Sequence, residues 1–444
     1  MGKDDGMLAH DGRNFSSSLV AGIDAATPLP SVINGVDCAP SVKVTRRQLT
    51  LNLIAGGLGT GMFSLPSSMS GCSVVLGVVM TFAVVALNAL TIMILVRAAD
   101  AHQVFDLGAL LGLLPGRIAG RSVGRLMQAF MNIMVWVVLF GSLVSYLIVM
   151  HDSAQPFVKG TFLDDGRLPL VSFAALIVLG LCFLEQRHLS WTSSIALLVN
   201  MYLIIVLCIL FFQKSSDQKL PDDVCLLGVG KGVVSMLAVL AQCVIIQMCV
   251  LPMYQELEDR SPQRFAVCLW TAFGSLALIF SLFATLGYLS FGPGVQGNVL
   301  QNVDSGVLSD IAQVGTILVV AAIYPLMVIP MVAPIRNMAL PESLSHRRGL
   351  VVAGSIFVIV LISFVGALLI PDLLVVNVID GALCVGTFTA LAPGLAGLYL
   401  LDKHSLCWKG LMFLLFAFGF TNTVLGLVFS KPYAEELQAN CAWA

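Results

Sequence analysis

The chain is 444 residues long, 58% hydrophobic and only 11% charged, with a mean hydropathy of +0.95 and a formal net charge of −2. A soluble protein carries roughly 25% charged residues, so a water-facing globule cannot hide this much apolar surface and the solvent has to be lipid. The near-neutral charge says nothing about nucleic acid and no basic stripe suggests it, so none is expected as a partner. The 11 cysteines are scattered singly through the chain, and no C-x-x-C or H-E-x-x-H appears, so neither a metal site nor a cofactor is expected.

In chain order, residues 1–45 are polar and rich in Ser, Gly and Asp, which predicts a disordered cytoplasmic tail. They hold no apolar h-region, so no cleavable signal peptide is expected, and Gly6 stands where N-myristoylation wants Ser or Thr. Crossing a hydrocarbon layer of about 30 Å takes about 20 apolar residues. On that rule residues 46–430 form one transmembrane domain of eleven spans, near 48–69, 73–98, 124–150, 168–185, 190–213, 232–255, 265–291, 308–333, 349–370, 373–400 and 409–430. With a cytoplasmic N-terminus, inside segments hold 17 Lys and Arg and outside segments 6, the asymmetry that orients membrane proteins. Residues 431–444 then form a short extracytoplasmic tail. The Asn14-Phe15-Ser16 sequon lies inside, where it is not glycosylated. Cys225 and Cys441 both fall outside, which allows a disulfide between them.

Three features within the spans could carry chemistry. The first is AGGLGTGMFSLP (Ala55–Pro66). Gly57 and Gly61 form a G-x-x-x-G suited to close helix packing. Gly56, Gly57, Gly59 and Gly61 point all round a helix, however, and packing needs only one face. The alternative is a discontinuous helix whose freed backbone groups meet a ligand at the membrane midplane. No strand precedes the run and no Gly-Lys-[Ser/Thr] follows, so it is not a phosphate loop.

The second feature is VLPMYQELEDRSPQRF (Val250–Phe265), at the cytoplasmic end of span 6. Taken alone it reads as a solvated helix end. Gln242 and Gln247, just upstream, are amides in an apolar helix and act either as inter-helix glue or as ligand contacts. The third is Asp380, about seven residues into span 10 and so roughly 10 Å deep. A carboxylate there costs about 2.5–3.5 kcal/mol on insertion scales and should face protein or a water-filled cavity. No Lys or Arg lies at comparable depth. Asp380 is then a proton acceptor, a partner for a cationic substrate, or a carboxyl kept neutral by burial.

Together these motifs resemble the amino acid/auxin permease family, which includes sodium-coupled neutral and vacuolar amino acid transporters. NLIAGGLGTGMFSLP is similar to the family's first span, GSLVSYLIVMHD (Gly141–Asp152) to the end of its third, and VLPMYQELEDRSPQRF to its most distinctive signature. GYLSFG (Gly287–Gly292) and IPDLLVVNVIDGALCVGTFTALAPGL (Ile370–Leu395) resemble its seventh and tenth spans. The resemblance implies an all-α polytopic membrane protein with a five-plus-five inverted repeat (LeuT-type), spans 1 and 6 broken, and one extra helix. It places a substrate carboxylate on the backbone of Gly57, Leu58, Gly59, Thr60 and Gly61, and the substrate's amino group on span 6 carbonyls near Cys243–Gln247. Asn132, Gln247, Tyr324 and Asp380 are the inward-facing selectivity candidates, with Asp380 also the coupling-ion candidate.

Two departures from the family pattern bear on coupling. Many sodium-coupled relatives carry a histidine where Gln247 stands. The central stretch of span 8, LVVAAIYPLMVIP (Leu318–Pro330), has no serine or threonine, whereas a hard cation wants oxygen ligands. The expected function is therefore a secondary amino acid transporter working by alternating access, proton-coupled or facilitative, with cationic amino acids as candidate substrates. Alternatives are a membrane amino-acid sensor with little flux and a sodium-coupled neutral amino acid symporter. No nucleophile–base pair can be assembled within the spans, so no enzyme is expected. The plasma membrane is the expected location, ahead of a vacuolar or lysosomal membrane.

Overall fold

The computed structural model describes residues 43–443 apart from 119–120, 184–191, 218–220, 222, 304–305, 338–347, 403–404, 431–436 and 438–440. The expected disordered tail, through residue 42, and the Asn14 sequon lie outside the described residues.

Among the described residues, nine helices are long and apolar enough to cross a membrane. They are span 2 (Val74–His102), span 3 (Val123–Ala154), span 5 (Thr192–Ser216), span 6 (Gly232–Gln255), span 7 (Pro262–Phe291), span 8 (Val307–Asn337), span 9 (Arg348–Leu369), span 10 (Leu373–Tyr399) and span 11 (Leu406–Val428). Two crossings are shorter. Span 4 is Arg167–Leu181, and span 1 is assembled from a helix (Arg46–Gly57), a 3₁₀ turn (Thr60–Ser64) and a second helix (Leu65–Ser70). Leu278, Leu318, Phe357 and Phe420 project outward, as expected where lipid rather than water covers the surface.

Local chemistry sets the element boundaries. Thr45 and Gln48 form a capping box at the start of span 1, satisfying donors that the first helical turn cannot. Ser261 accepts from the Arg264 N–H and Pro262 occupies the first turn of span 7, so the Ser-Pro of the signature is a helix start. Span 10 contains a π-helical stretch, Val385–Leu391, a distortion that recurs at functional sites.

Cys225, in the loop before span 6, and Cys441 are disulfide-bonded, with Cα atoms 5.7 Å apart. Leu227 and Gly228 pair with Trp443 and Cys441 in a short antiparallel ribbon beside the bridge. A disulfide persists in an oxidising compartment. We expect a peptide joining Cys225 to Cys441 in non-reducing peptide mapping, lost on reduction. Cys441→Ser should lower stability by about 2–4 kcal/mol, read as a lower Tm in detergent.

Candidate functional site

Span 1 loses its helix at Leu58. The Leu58 N–H still reaches the Ala55 carbonyl at 3.2 Å, and Met62 N–H returns to the Gly59 carbonyl at 3.2 Å to open the 3₁₀ turn. Between them, the N–H groups of Gly59, Thr60 and Gly61 have no backbone partner among the described residues. The freed Leu58 carbonyl accepts from Asn200 Nδ2 of span 5 at 3.2 Å. The glycines of the run divide by what surrounds them. A methyl group on Gly57 would fall 2.5 Å from Leu276 of span 7, and one on Gly61 would fall 2.9 Å from Cys243 Sγ. A methyl on Gly59 would meet nothing within 4 Å. Gly57 and Gly61 therefore allow helices to approach, whereas Gly59 faces open space beside three unpaired N–H groups.

Span 6 breaks at the same level. Its first helix ends at Cys243 and the second begins at Gln247. The carbonyls of Cys243, Val244 and Ile245 accept no backbone hydrogen bond among the described residues. Gln247 turns back on its own chain, Oε1 accepting from the Ile246 N–H at 3.1 Å while Nε2 donates to Asn88 Oδ1 of span 2 at 2.8 Å. Thr389, in the π stretch of span 10, donates to the same Asn88 oxygen at 3.0 Å. The two breaks abut where Gly61 meets Cys243 and where Gly56 meets Ile246. The result is donors on one strand of bare backbone and acceptors on the other.

Span 10 covers these breaks on the side where span 6 begins. Asn377, fully buried, donates to Ser64 Oγ of span 1 at 2.9 Å and accepts from Ser145 of span 3 at 3.0 Å. One turn deeper, Asp380 Oδ2 accepts from Gln242 Nε2 of span 6 at 2.6 Å. Its other side lies against span 3, where a methyl on Gly141 would fall 2.6 Å from the Asp380 carboxyl carbon. No salt bridge reaches Asp380 among the described residues.

The signature at the end of span 6 closes the site on the side where span 1 begins. Tyr254, fully buried, donates to Asp100 of span 2 at 2.7 Å. Arg260 donates to Gln103 at 2.8 Å and lies 4.2 Å over the Phe105 ring. Val44 is stitched to the same loop, its N–H donating to the Glu256 carbonyl at 2.9 Å and its carbonyl accepting from the Glu258 N–H at 3.0 Å. Asp259 takes a left-handed conformation with φ 47° and pairs with Arg264 at 2.7 Å, which holds its carboxyl below the usual range. Glu256 is half-buried here, and burial pushes its carboxyl up to about 7.

The expected site residues separate in the structure. Gly59, Thr60, Gly61 and Cys243 converge at the breaks, with Asp380 on their outer side and Gln247 on their inner side. Gly57 packs on span 7, and Leu58 is buried with both its N–H and its carbonyl engaged. Tyr324 is fully buried and bonded at 2.8 Å to Ser363 of span 9, with its ring 6.5 Å from that of Tyr146. Asn132 is not brought to the breaks: it is exposed, with Oδ1 beside Gly108 of the short helix Leu107–Gly112. Asn88, Asn200 and Asn377, which hold the breaks in place, were not among the expected residues. Their signal was an uncharged amide deep in an apolar span.

The chain matches the family described as "Transmembrane amino acid transporter protein" over residues 43–431. It is 23% identical over 352 residues to amino acid transporter AVT6E of Arabidopsis thaliana, covering 72% of this chain and 69% of the relative. Vacuolar amino acid transporter 7 of Saccharomyces cerevisiae is 22% identical over 268 residues, 57% of this chain and 51% of the relative. Human solute carrier family 38 member 10 is 21% identical over 415 residues, and there the chain covers 35% of the relative's length. Among solved structures, a substrate-bound, outward-open Na+-coupled sialic acid symporter superposes with a TM-score of 0.53 at 10% identity. That match covers 94% of this chain and 95% of the symporter, and it fixes the fold as the LeuT type with spans 1 and 6 broken.

Two expectations follow for the purified chain. Gly57→Val overpacks against Leu276 and should cost about 1–3 kcal/mol, whereas Gly59→Val should leave the Tm unchanged. Glu256 holds its proton further up the pH scale in the folded chain than in the unfolded one, so its contribution to stability declines as pH rises from about 4.3 to about 7. Glu256→Gln should therefore raise the Tm at pH 8, with the difference closing at pH 5.

Proposed function

Since the chain belongs to the transmembrane amino acid transporter family, we propose that it moves free amino acids across the membrane by alternating access, driven by protons rather than sodium. The observation that carries the reading is the pair of facing breaks. Unpaired N–H groups at Gly59, Thr60 and Gly61 suit a carboxylate, and open carbonyls at Cys243, Val244 and Ile245 suit an ammonium. An α-amino acid presents these two groups together. The helical turn that begins at Thr60 points its positive end at the anion. A side chain attached to the bound zwitterion extends into the space beside Gly59.

Alternating access requires the two polar closures to open in turn. The outer one joins Asn377 to Ser64 and Ser145 and Asp380 to Gln242. The inner one joins Tyr254 to Asp100 and Val44 to the loop after span 6. Proton coupling rests on Asp380, a buried carboxyl with an amide rather than a cation as its partner. A substrate guanidinium or ammonium would have to displace Gln242 from between spans 6 and 10, whereas a proton needs no room. Sodium is disfavoured because Leu318–Pro330 of span 8 offers no serine or threonine, and its one hydroxyl, on Tyr324, is already bonded to Ser363. The outer disulfide fits the oxidising exterior of the plasma membrane, with an acidic organelle as the alternative location.

The test is uptake into proteoliposomes of each of the twenty amino acids, with and without an inward proton gradient and with choline replacing sodium. We expect uptake stimulated about tenfold or more by the gradient and unaffected by the sodium replacement. Asp380→Asn should abolish the gradient dependence. Gly59→Val should reduce uptake at least a hundredfold, because its side chain fills the substrate's space. Uptake that vanishes in choline would overturn proton coupling, and a fully active Gly59→Val would overturn the binding site.

A further inference from the structure

Gln242 sits where three parts of the site meet. Its Nε2 donates to Asp380 Oδ2 at 2.6 Å, and its Oε1 accepts from Cys384 Sγ of span 10 at 3.4 Å. Both ends of the amide are thus committed to span 10, although Gln242 belongs to span 6. It is also the penultimate residue before the break, adjacent to Cys243, whose sulfur lies against Gly61. The Gln242 side chain therefore joins the carboxyl of span 10 to the last turn of the helix that opens onto the ligand. The joint is tight: Gly141 leaves no gap on the span 3 side of the carboxyl, and a methyl on Gly381 would overlap the Ala238 carbonyl of span 6.

We propose that Gln242 is a positioning residue that converts the protonation of Asp380 into movement of the span 6 break, so that proton and amino acid are bound cooperatively. This deepens the transport reading above and rests on it. With Asp380 ionised, the amide N–H is held by a charge-assisted bond, roughly twice as strong as a neutral one. When Oδ1, which accepts no hydrogen bond among the described residues, takes a proton from the outer aqueous side, the carboxyl becomes neutral. The hold on Gln242 then slackens. The last turn of the first span 6 helix is freed to adjust around the substrate ammonium, and release of the proton to the inner side restores the clasp. The proton is the only species transferred, and no bond between heavy atoms changes.

The groups facing Asp380 are few. Span 3 contributes Gly141 and Tyr146, span 6 contributes Gln242, and span 10 itself contributes Cys384. Span 1 offers the Ser64 hydroxyl to Asn377, and span 11 offers Thr423 to the Ala382 carbonyl. The neighbouring stretches of spans 1 and 11 carry no charged residue. Gln242 is thus the polar link between the titrating group and the ligand's backbone seat.

The test uses the full-length chain in proteoliposomes and infrared difference spectroscopy of its carboxylic-acid C=O band, assigned by its loss in Asp380→Asn. Adding L-lysine or L-glutamine, used in turn as probes, should move the titration midpoint of that band upward by about one pH unit in the wild type. By reciprocity, lowering the pH should tighten probe binding about tenfold. In Gln242→Leu the band should still titrate, but neither probe should shift it, and uptake should lose its pH dependence. Gln242→Glu, whose carboxyl shares a proton with Asp380, should recover pH-dependent uptake with a higher midpoint. A probe-induced shift that persists undiminished in Gln242→Leu overturns the proposal. Should that variant fail to fold, an unchanged midpoint in Gln242→Glu does the same. Wild-type uptake with no probe effect on the band overturns the coupling role of Gln242 and leaves transport standing. A wild type that neither binds nor takes up any amino acid removes the transport reading first and this proposal with it.

Discussion

In hydrocarbon, a backbone N–H or C=O without a partner costs several kcal/mol, and the rest of this structure is organised around two places where that rule is broken. Spans 1 and 6 lose their helical hydrogen bonds at Leu58–Gly59 and at Val244–Ile246. Each break is repaired only in part. Asn200 takes the Leu58 carbonyl, the 3₁₀ turn recovers Met62, and Gln247 folds back on Ile246. What remains unrepaired is three donors on one side and three acceptors on the other. In the proposed function a zwitterionic ligand supplies the missing partners.

The same economy explains the amides and hydroxyls elsewhere in the spans. Asn88 gathers Gln247 and Thr389 on one oxygen and spends its own N–H on the Val84 carbonyl. Asn377 likewise donates to one span and accepts from another. Neutral hydrogen bonds of this kind contribute about 1 kcal/mol each in membranes, enough to hold a helix in place but weak enough to be exchanged. Salt bridges at these depths would be far harder to open, since separating the partners leaves a bare charge in lipid. The one deep carboxyl, Asp380, is accordingly paired with an amide.

Much of this was legible in the chain, and the reasons for the exceptions are physical. Span number and the broken first span follow from hydropathy and glycine content, which are properties of segments. The sorting of the glycines does not follow from the sequence. Gly57 and Gly59 look alike, and only the positions of Leu276 and the opposite break show that one packs and the other faces open space. Asn132 was expected to face inward, but its helix face is set by the short helix Leu107–Gly112, whose docking site the pattern does not reveal. Tyr324 was an inward-facing candidate through the family resemblance, and its hydroxyl is bonded to Ser363 of the next span. The signature after span 6 read as a solvated helix end until its partners Asp100, Gln103 and Phe105, about 150 residues earlier in the chain, came into contact with it.

The outer loop before span 6 does more than carry a disulfide. Cys225 N–H donates to the Tyr288 hydroxyl of span 7, and the Cys225 and Leu226 carbonyls accept from Val74 and Val75 at the start of span 2. Ser73 donates to Gly228, and Gly232, the first residue of span 6, sits directly on the Gly71 carbonyl that ends span 1. Four spans, 1, 2, 6 and 7, are thereby fastened to one another at their outer ends, and the bond to Cys441 adds the C-terminal tail to the same knot. Such a knot leaves the two broken spans no freedom to part company on that side. The two broken spans are tethered to each other at that end, on the opposite side of the breaks from the loop after span 6.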